Sequence, residues 1–217
     1  MLAEIFIPNT SQHIETINHL GLEQEWLQEV GMKAIAAYNQ TTSHDAMSAP
    51  GTYAYFAAIR AIRDILCQKG WEPHVKNNLE MTVNPKTKTS IIVSSGNKDT
   101  GRKDHSPKTK NPKGNQTKRA VAFNERQFRL PTMEYKVKNI QLNKIWIFLF
   151  HVDTKKSQLR AELSLPVKMD IEELHVSGWH KRIILPSIDV DHFPAAPKHS
   201  NDLLPEFNVE LKRKANG

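Results

Sequence analysis

The chain is 217 residues long and basic, with 30 Lys/Arg against 23 Asp/Glu and a net charge of +7; it is long enough to bury a real core as one large domain or two small ones, and its charge favours nucleic acid or another anionic surface as partner. The lone Cys67 excludes an internal disulfide and suits a reducing, cytoplasmic compartment. The first residues lack the basic start and apolar run of a signal peptide, and the longest apolar run, Ile145 to Phe150, is far too short to cross a membrane.

Asn9-Thr10-Ser11 can cap a first helix, with Ile14, Ile17 and Leu20 on one face and Gly21 ending it. A second helix is expected from about Leu22 to Tyr38, where Leu22, Trp26, Leu27, Val30, Ala34 and Tyr38 keep a helical period. A polar link leads to a third helix, from about Thr52 to Lys69, with Ala54, Ala58, Ala61, Ile62, Ile65 and Leu66 as its buried stripe and Gly70 as a stop. From Trp71 the period changes to two. Trp71 to Lys76 and Leu79 to Asn84, joined by Asn77-Asn78, read as a hairpin, and Thr89 to Ser94 reads as a third strand. After a long polar stretch, a short helix is expected from Thr117 to about Leu130. A second set of strands follows: Ile145 to Val152 as the most apolar and central one, Gln158 to Leu165, Trp179 to Leu185, and Glu206 to Arg213. On the second of these, Leu159, Ala161, Leu163 and Leu165 alternate with Arg160, Glu162 and Ser164. Helices followed by two β-meanders predict one α+β domain over 1–217, helical to about 70 and β-rich beyond, with a largely antiparallel sheet.

The stretch from Ser94 to Arg119 sets the functional expectation. It has no aliphatic or aromatic side chain, three glycines and two prolines. From Asn97 to Arg119 it carries Lys98, Arg102, Lys103, Lys108, Lys110, Lys113, Lys118 and Arg119 against only Asp99 and Asp104, a net of +6. The composition predicts a flexible basic loop over 95–119, anchored on a sheet edge and long enough to be functional. Its lysines suit phosphates as point charges without base specificity. With no aromatic among them, they offer no stacking platform for single strands.

Gly96-Asn-Lys-Asp-Thr-Gly101-Arg102-Lys103 approaches a phosphate-binding loop. Arg102 stands where lysine is needed, however, Asp104 replaces the hydroxyl residue, and no helix can follow directly. Looser contacts from the Gly96 and Gly101 backbone stay open. Asp99-Thr-Gly lacks the apolar strand and paired carboxylate of an aspartic protease. Val209-Glu210-Leu211-Lys212, with Asp189 and Asp191 upstream, has the local form of a nuclease centre that holds magnesium, although so few residues follow it that an ordinary charged edge strand fits as well. The ten histidines show no helical metal spacing. Ser43, His44 and Asp45 lack a nucleophile elbow.

The expectation is thus a cytoplasmic nucleic-acid-binding protein, without cofactor or catalysis, that contacts backbone phosphates through the eight cations of the loop. Arg60, Arg63, Lys181, Arg182 and the cluster Lys212-Arg213-Lys214 are auxiliaries. A magnesium-dependent nuclease using Asp189, Asp191, Glu210 and Lys212, and a module docking an acidic protein, are the alternatives.

Overall fold

The computed structural model describes residues 3–129 and 144–190. These form four helices and an eight-stranded, mostly antiparallel sheet, an α+β arrangement in which three helices precede most of the sheet. In chain order they are β1 (Glu4–Phe6), α1 (Ser11–His19), α2 (Gln24–Asn39), α3 (Ala49–Cys67), β2 (Glu72–Lys76), β3 (Leu79–Asn84), β4 (Thr89–Ser95), α4 (Asn115–Arg129), β5 (Lys144–Asp153), β6 (Gln158–Met169), β7 (Val176–Ile184) and β8 (Ile188–Asp189). The expected strand over Glu206 to Arg213 lies outside the described residues.

The sheet runs β1-β7-β6-β5-β4-β3-β2, with β8 added beside the start of β6. Both meanders form as expected, β2-β3-β4 and β5-β6-β7. The first hairpin turns at Asn77-Asn78, both with positive φ (49° and 63°), the left-handed conformation that asparagine tolerates and a tight two-residue turn needs. Two parallel pairs were not anticipated. Short β1 lies beside β7, and β4 pairs with β5 from Thr89↔Lys144 to Ser95↔Phe150. The β4–β5 junction therefore demands a crossover, which the basic segment and α4 supply.

Both faces of the sheet are covered. On the first, α2 and α3 pack their stripes (Leu27, Val30, Ala34; Ala54, Ala58, Ile62, Leu66) on Ile91, Trp146, Phe148, Leu163 and Ile183. On the second, Val121 of α4 joins Ile92, Ile147, Leu149, Val176 and Trp179. Strand β5 sits in the middle and buries both of its faces, which explains its unbroken apolar run. Register shifts between Leu165 and Met169 interrupt the β6–β7 pairing; such bulges bend a hairpin, here bringing Val176 and Trp179 onto Ile92, Ile147 and Leu149. Asn124, wholly buried, ties α4 to the sheet. Its amide donates to the carbonyls of Ile145 and Pro166 and accepts from the Ile145 N–H.

One helix face differs from the expectation. On α1, Ile14 is exposed, and His13 and Ile17 point inward. The His13 ring reaches across the fold, its Nε2 lying 2.7 Å from the carbonyl oxygen of Ile184. Burial pushes the His13 pKa down, against the pull of that hydrogen bond. Burial likewise lowers His151 and His180.

As pH falls below the imidazole value of 6.5, the unfolded chain takes up protons that these three rings resist, so stability is complete above that value and declines beneath it. Thermal melts at about pH 7.5 and about pH 5.5 should show the lower midpoint in acid. The gap between the two midpoints should shrink in His13→Asn.

Candidate functional site

The basic segment is bonded to the sheet along most of its length. It leaves β4 at Gly96, whose N–H donates to Phe150 O at 2.7 Å. Asn97 then organises a compact turn: its side-chain oxygen accepts from the N–H groups of Asp99 and Lys108. Further along, the Trp179 indole donates to Pro107 O at 2.9 Å. Thr109 bridges Gly96, donates its N–H to Val176 O and accepts the Val176 N–H on its hydroxyl. Lys110 N–H returns to Ser95 O, and Lys113 N–H reaches Leu174 O. The helix expected from Thr117 begins two residues earlier, so that residues 115–119 of the expected loop open α4. The expectation of a flexible arm therefore gives way to a fixed strap. Apart from the buried Pro107, the strap covers the sheet with polar side chains: Thr100 and Thr109 are buried.

A buried ion pair fastens it. Arg182 of β7 and Glu162 of β6 have side chains 2% and 0% exposed, with Nη2 to Oε2 at 2.6 Å and Nε to Oε1 at 3.0 Å. Glu162 also accepts the Gly101 N–H at 2.9 Å and the Ser164 hydroxyl at 2.6 Å. Arg182 donates to the carbonyls of His105 and Arg102. Two charges buried this deeply are tolerated only when paired and fully hydrogen-bonded, and the strap's backbone supplies the missing partners. Gly101 allows the close approach. Its φ is +70°, and a Cβ there would come within 2.9 Å of Arg160 Cβ, so both conformation and space call for glycine.

With the backbone held inside, the cations face outward. Lys98, Arg102, Lys103, Lys108, Lys110 and Arg119 are exposed, and none forms an ion pair among the described residues. Lys118 meets Glu173 at 3.6 Å in a solvent-exposed pair, a weak contact that screens easily. Lys113 is half-buried, and desolvation lowers its pKa to about 8 with no acid to compensate. His151, on β5 beside the strap, points Nδ1 at Gly96 O at 3.2 Å. Its pKa is lowered first by burial and also by the nearby charges of Arg160 and Lys110, so the ring adds no positive charge at neutral pH.

The idea that Gly96 and Gly101 backbone amides receive phosphate does not survive. Those amides donate to Phe150 O and Glu162, while Thr100 and Arg102 N–H donate to Asn97 O and Asp99 O. The auxiliary cations fare differently from one another. Arg182 is buried and structural, and so adds nothing to an outer surface. Lys181 pairs with Glu4 at 3.0 Å and Arg63 with Glu80 at 2.5 Å. Arg60 is exposed on α3, in a groove shared with Asp64 and Glu80. Asp189 lies exposed on β8, while Asp191, Glu210 and Lys212, like Lys212-Arg213-Lys214 as a cluster, are outside the described residues. Among the described residues no three His, Cys, Asp or Glu side chains gather as metal ligands. Asp45 is a turn cap, accepting from Thr42 N–H and hydroxyl. No described helix is long and apolar enough to cross a membrane.

Removing one half of the ion pair strands the other. Arg182→Met should cost about 3–5 kcal/mol in urea unfolding and should speed amide exchange through 97–110. The double variant Glu162→Leu/Arg182→Met should recover only part of that loss, because the carbonyls of Arg102 and His105 and the amide of Gly101 lose their partners in either case. Lys113 gives the opposite sign. Holding its charge in a half-buried site costs on the order of 2 kcal/mol once solvent screening is allowed for, so Lys113→Met should raise the melting midpoint at pH 7, and the gain should fade above about pH 8, as the native amine becomes neutral.

No family model matches the chain, and neither a curated protein nor a solved structure matches it.

Proposed function

We propose that the protein binds the phosphate backbone of nucleic acid, without catalysis, using the outward cations of the strap, Lys98, Arg102, Lys103, Lys108 and Lys110, with Lys113 at its end and Lys118 and Arg119 in the first turns of α4. One observation carries the reading. Five cations on a segment whose own backbone groups are largely committed inside the protein, with Arg119 on α4 beyond it, stand exposed and form no ion pair among the described residues. Positive charge held in place by a rigid base pays little ordering entropy on binding. It neutralises phosphate and releases counterions regardless of base sequence. The spent backbone amides fit the same picture, since they leave side-chain charge as the means of contact and no preformed cradle for a single nucleotide's triphosphate. A magnesium-dependent nuclease is the alternative, and it would have to draw on Asp191, Glu210 and Lys212.

Fluorescence anisotropy with labelled duplexes and single strands of unrelated sequence tests the proposal. Between about 50 and about 300 mM salt, log K should fall linearly with log salt, at about 0.9 per duplex phosphate neutralised. The triple variant Lys98→Gln/Lys108→Gln/Lys110→Gln should weaken all sequences alike and reduce the slope by about 2 to 3. Affinity that is flat across the salt range, or unchanged in that variant, would overturn the reading. An acidic protein as the true partner would leave every oligonucleotide unbound.

A further inference from the structure

A cleft of about 320 Å³ opens beside the strap. It lies between Gly101 and Lys103 of the strap, Gln158 and Arg160 of β6, and two connections, Ile7-Pro8 after β1 and residues 184–187 after β7. We propose that this cleft seats one phosphate-bearing nucleotide, with its phosphate at Arg160 and Lys103 and its sugar and base along the apolar connections. The ligand class rests on the nucleic-acid reading above; the location and its chemistry rest on the cleft.

Size is the first consideration. The volume falls at the low end of small-molecule sites, about 300–1,000 Å³, enough for a mononucleotide and not for a duplex. Charge is the second. The Arg160 side chain is 10% exposed. Nη2 donates to Lys98 O at 2.9 Å and to Asp153 at 3.3 Å, and Nε is itself buried, with no partner among the described residues. The guanidinium is thereby held in place at the wall of the cleft, where its fixed positive charge suits a phosphate. Asp153 offsets one positive charge, and exposed Lys103, without an ion pair among the described residues, restores the excess. The larger groove on α3, about 460 Å³, lacks this bias, because its Arg60 and Arg63 are matched by Asp64 and Glu80.

The walls are the third consideration. Ile7 is 47% exposed, and Pro8 and Pro186 flank the same opening. Together they give a surface on which a base can lie. Gln158 and Ser187 add polar side chains able to meet ribose hydroxyls or a base edge. The cleft is also continuous with the cationic strap through Lys103, so a strand tracking Lys98 to Lys110 can place one nucleotide in it. Gly101 makes the site possible by letting the strap lie against Arg160.

Calorimetric titration with adenosine monophosphate, inorganic phosphate and adenosine tests the assignment, with a duplex oligonucleotide run in parallel. The monophosphate should bind saturably, phosphate more weakly, and adenosine at least about tenfold more weakly, as expected when a charged hydrogen-bonding anchor is lost. Lys103→Gln should weaken the monophosphate several-fold. Ser187→Trp, at an exposed position, should close the cleft and abolish monophosphate binding while duplex binding through the strap persists. Duplex bound without the monophosphate would overturn the cleft and leave the broader function standing; neither ligand bound would overturn both. Equal affinity for phosphate and monophosphate would reduce the cleft to a simple anion site, against the proposal. Full monophosphate binding in both variants would place the nucleotide elsewhere and overturn it.

Discussion

The contact between Arg182 and Glu162 is the constraint on which the second face of the sheet depends. An arginine and a glutamate with almost no solvent exposure cannot balance their desolvation by attraction alone. They need every remaining donor and acceptor satisfied, and the strap satisfies them with one amide and two carbonyls drawn from residues 101–105. The dependence is mutual. Beyond the buried Pro107 the strap has little apolar surface with which to hold itself to the sheet, so the buried pair, the Trp179 indole and the Thr109 hydroxyl do most of the fastening. One side of this protein is assembled like a core of oil and the other like a network of fixed dipoles.

That division explains how the cations come to be presented. In an ordinary surface loop, charge and mobility go together, and the loop must be ordered before it can bind. Here the order is imposed from beneath, by the sheet, and the charges are left outside. The phosphate contact proposed above would rest on this: lysine ammonium groups on a stable support, which meet phosphates as point charges.

Much of the fold was legible. The hairpin between Glu72 and Asn84, the span of β4 and the central place of β5 all follow from period-two patterning and unbroken apolar runs, and the α3 stripe appears as read, although the helix starts earlier, at Ala49, with Pro50 in its first turn. The parallel β4–β5 pair was hidden by the intervening polar stretch, although two strands buried on both faces and separated by a helix are the usual sign of a crossover. The alternation of Arg160, Glu162 and Ser164 with apolar residues is legible, but the sequence carries no local mark that a distant polar segment will cover their face. For the same reason Arg182 looked like a surface cation. Its partner lies twenty residues away and its strap contacts nearly eighty, beyond the reach of any pattern in a short window. On α1, His13 outcompeted Ile14 for the interior because a carbonyl at Ile184 was waiting for it.

Sequence order adds a temporal side to the strap. Its anchors on β6 and β7 follow it by some sixty to eighty positions, and its exit from β4 is capped by β5, which also comes later. A ribosome delivering this chain from its N-terminus releases the polar crossover long before anything exists to receive it. Until β6 and β7 have been made, the contacts of the strap with Glu162, Trp179 and Arg182 have no partner to form with.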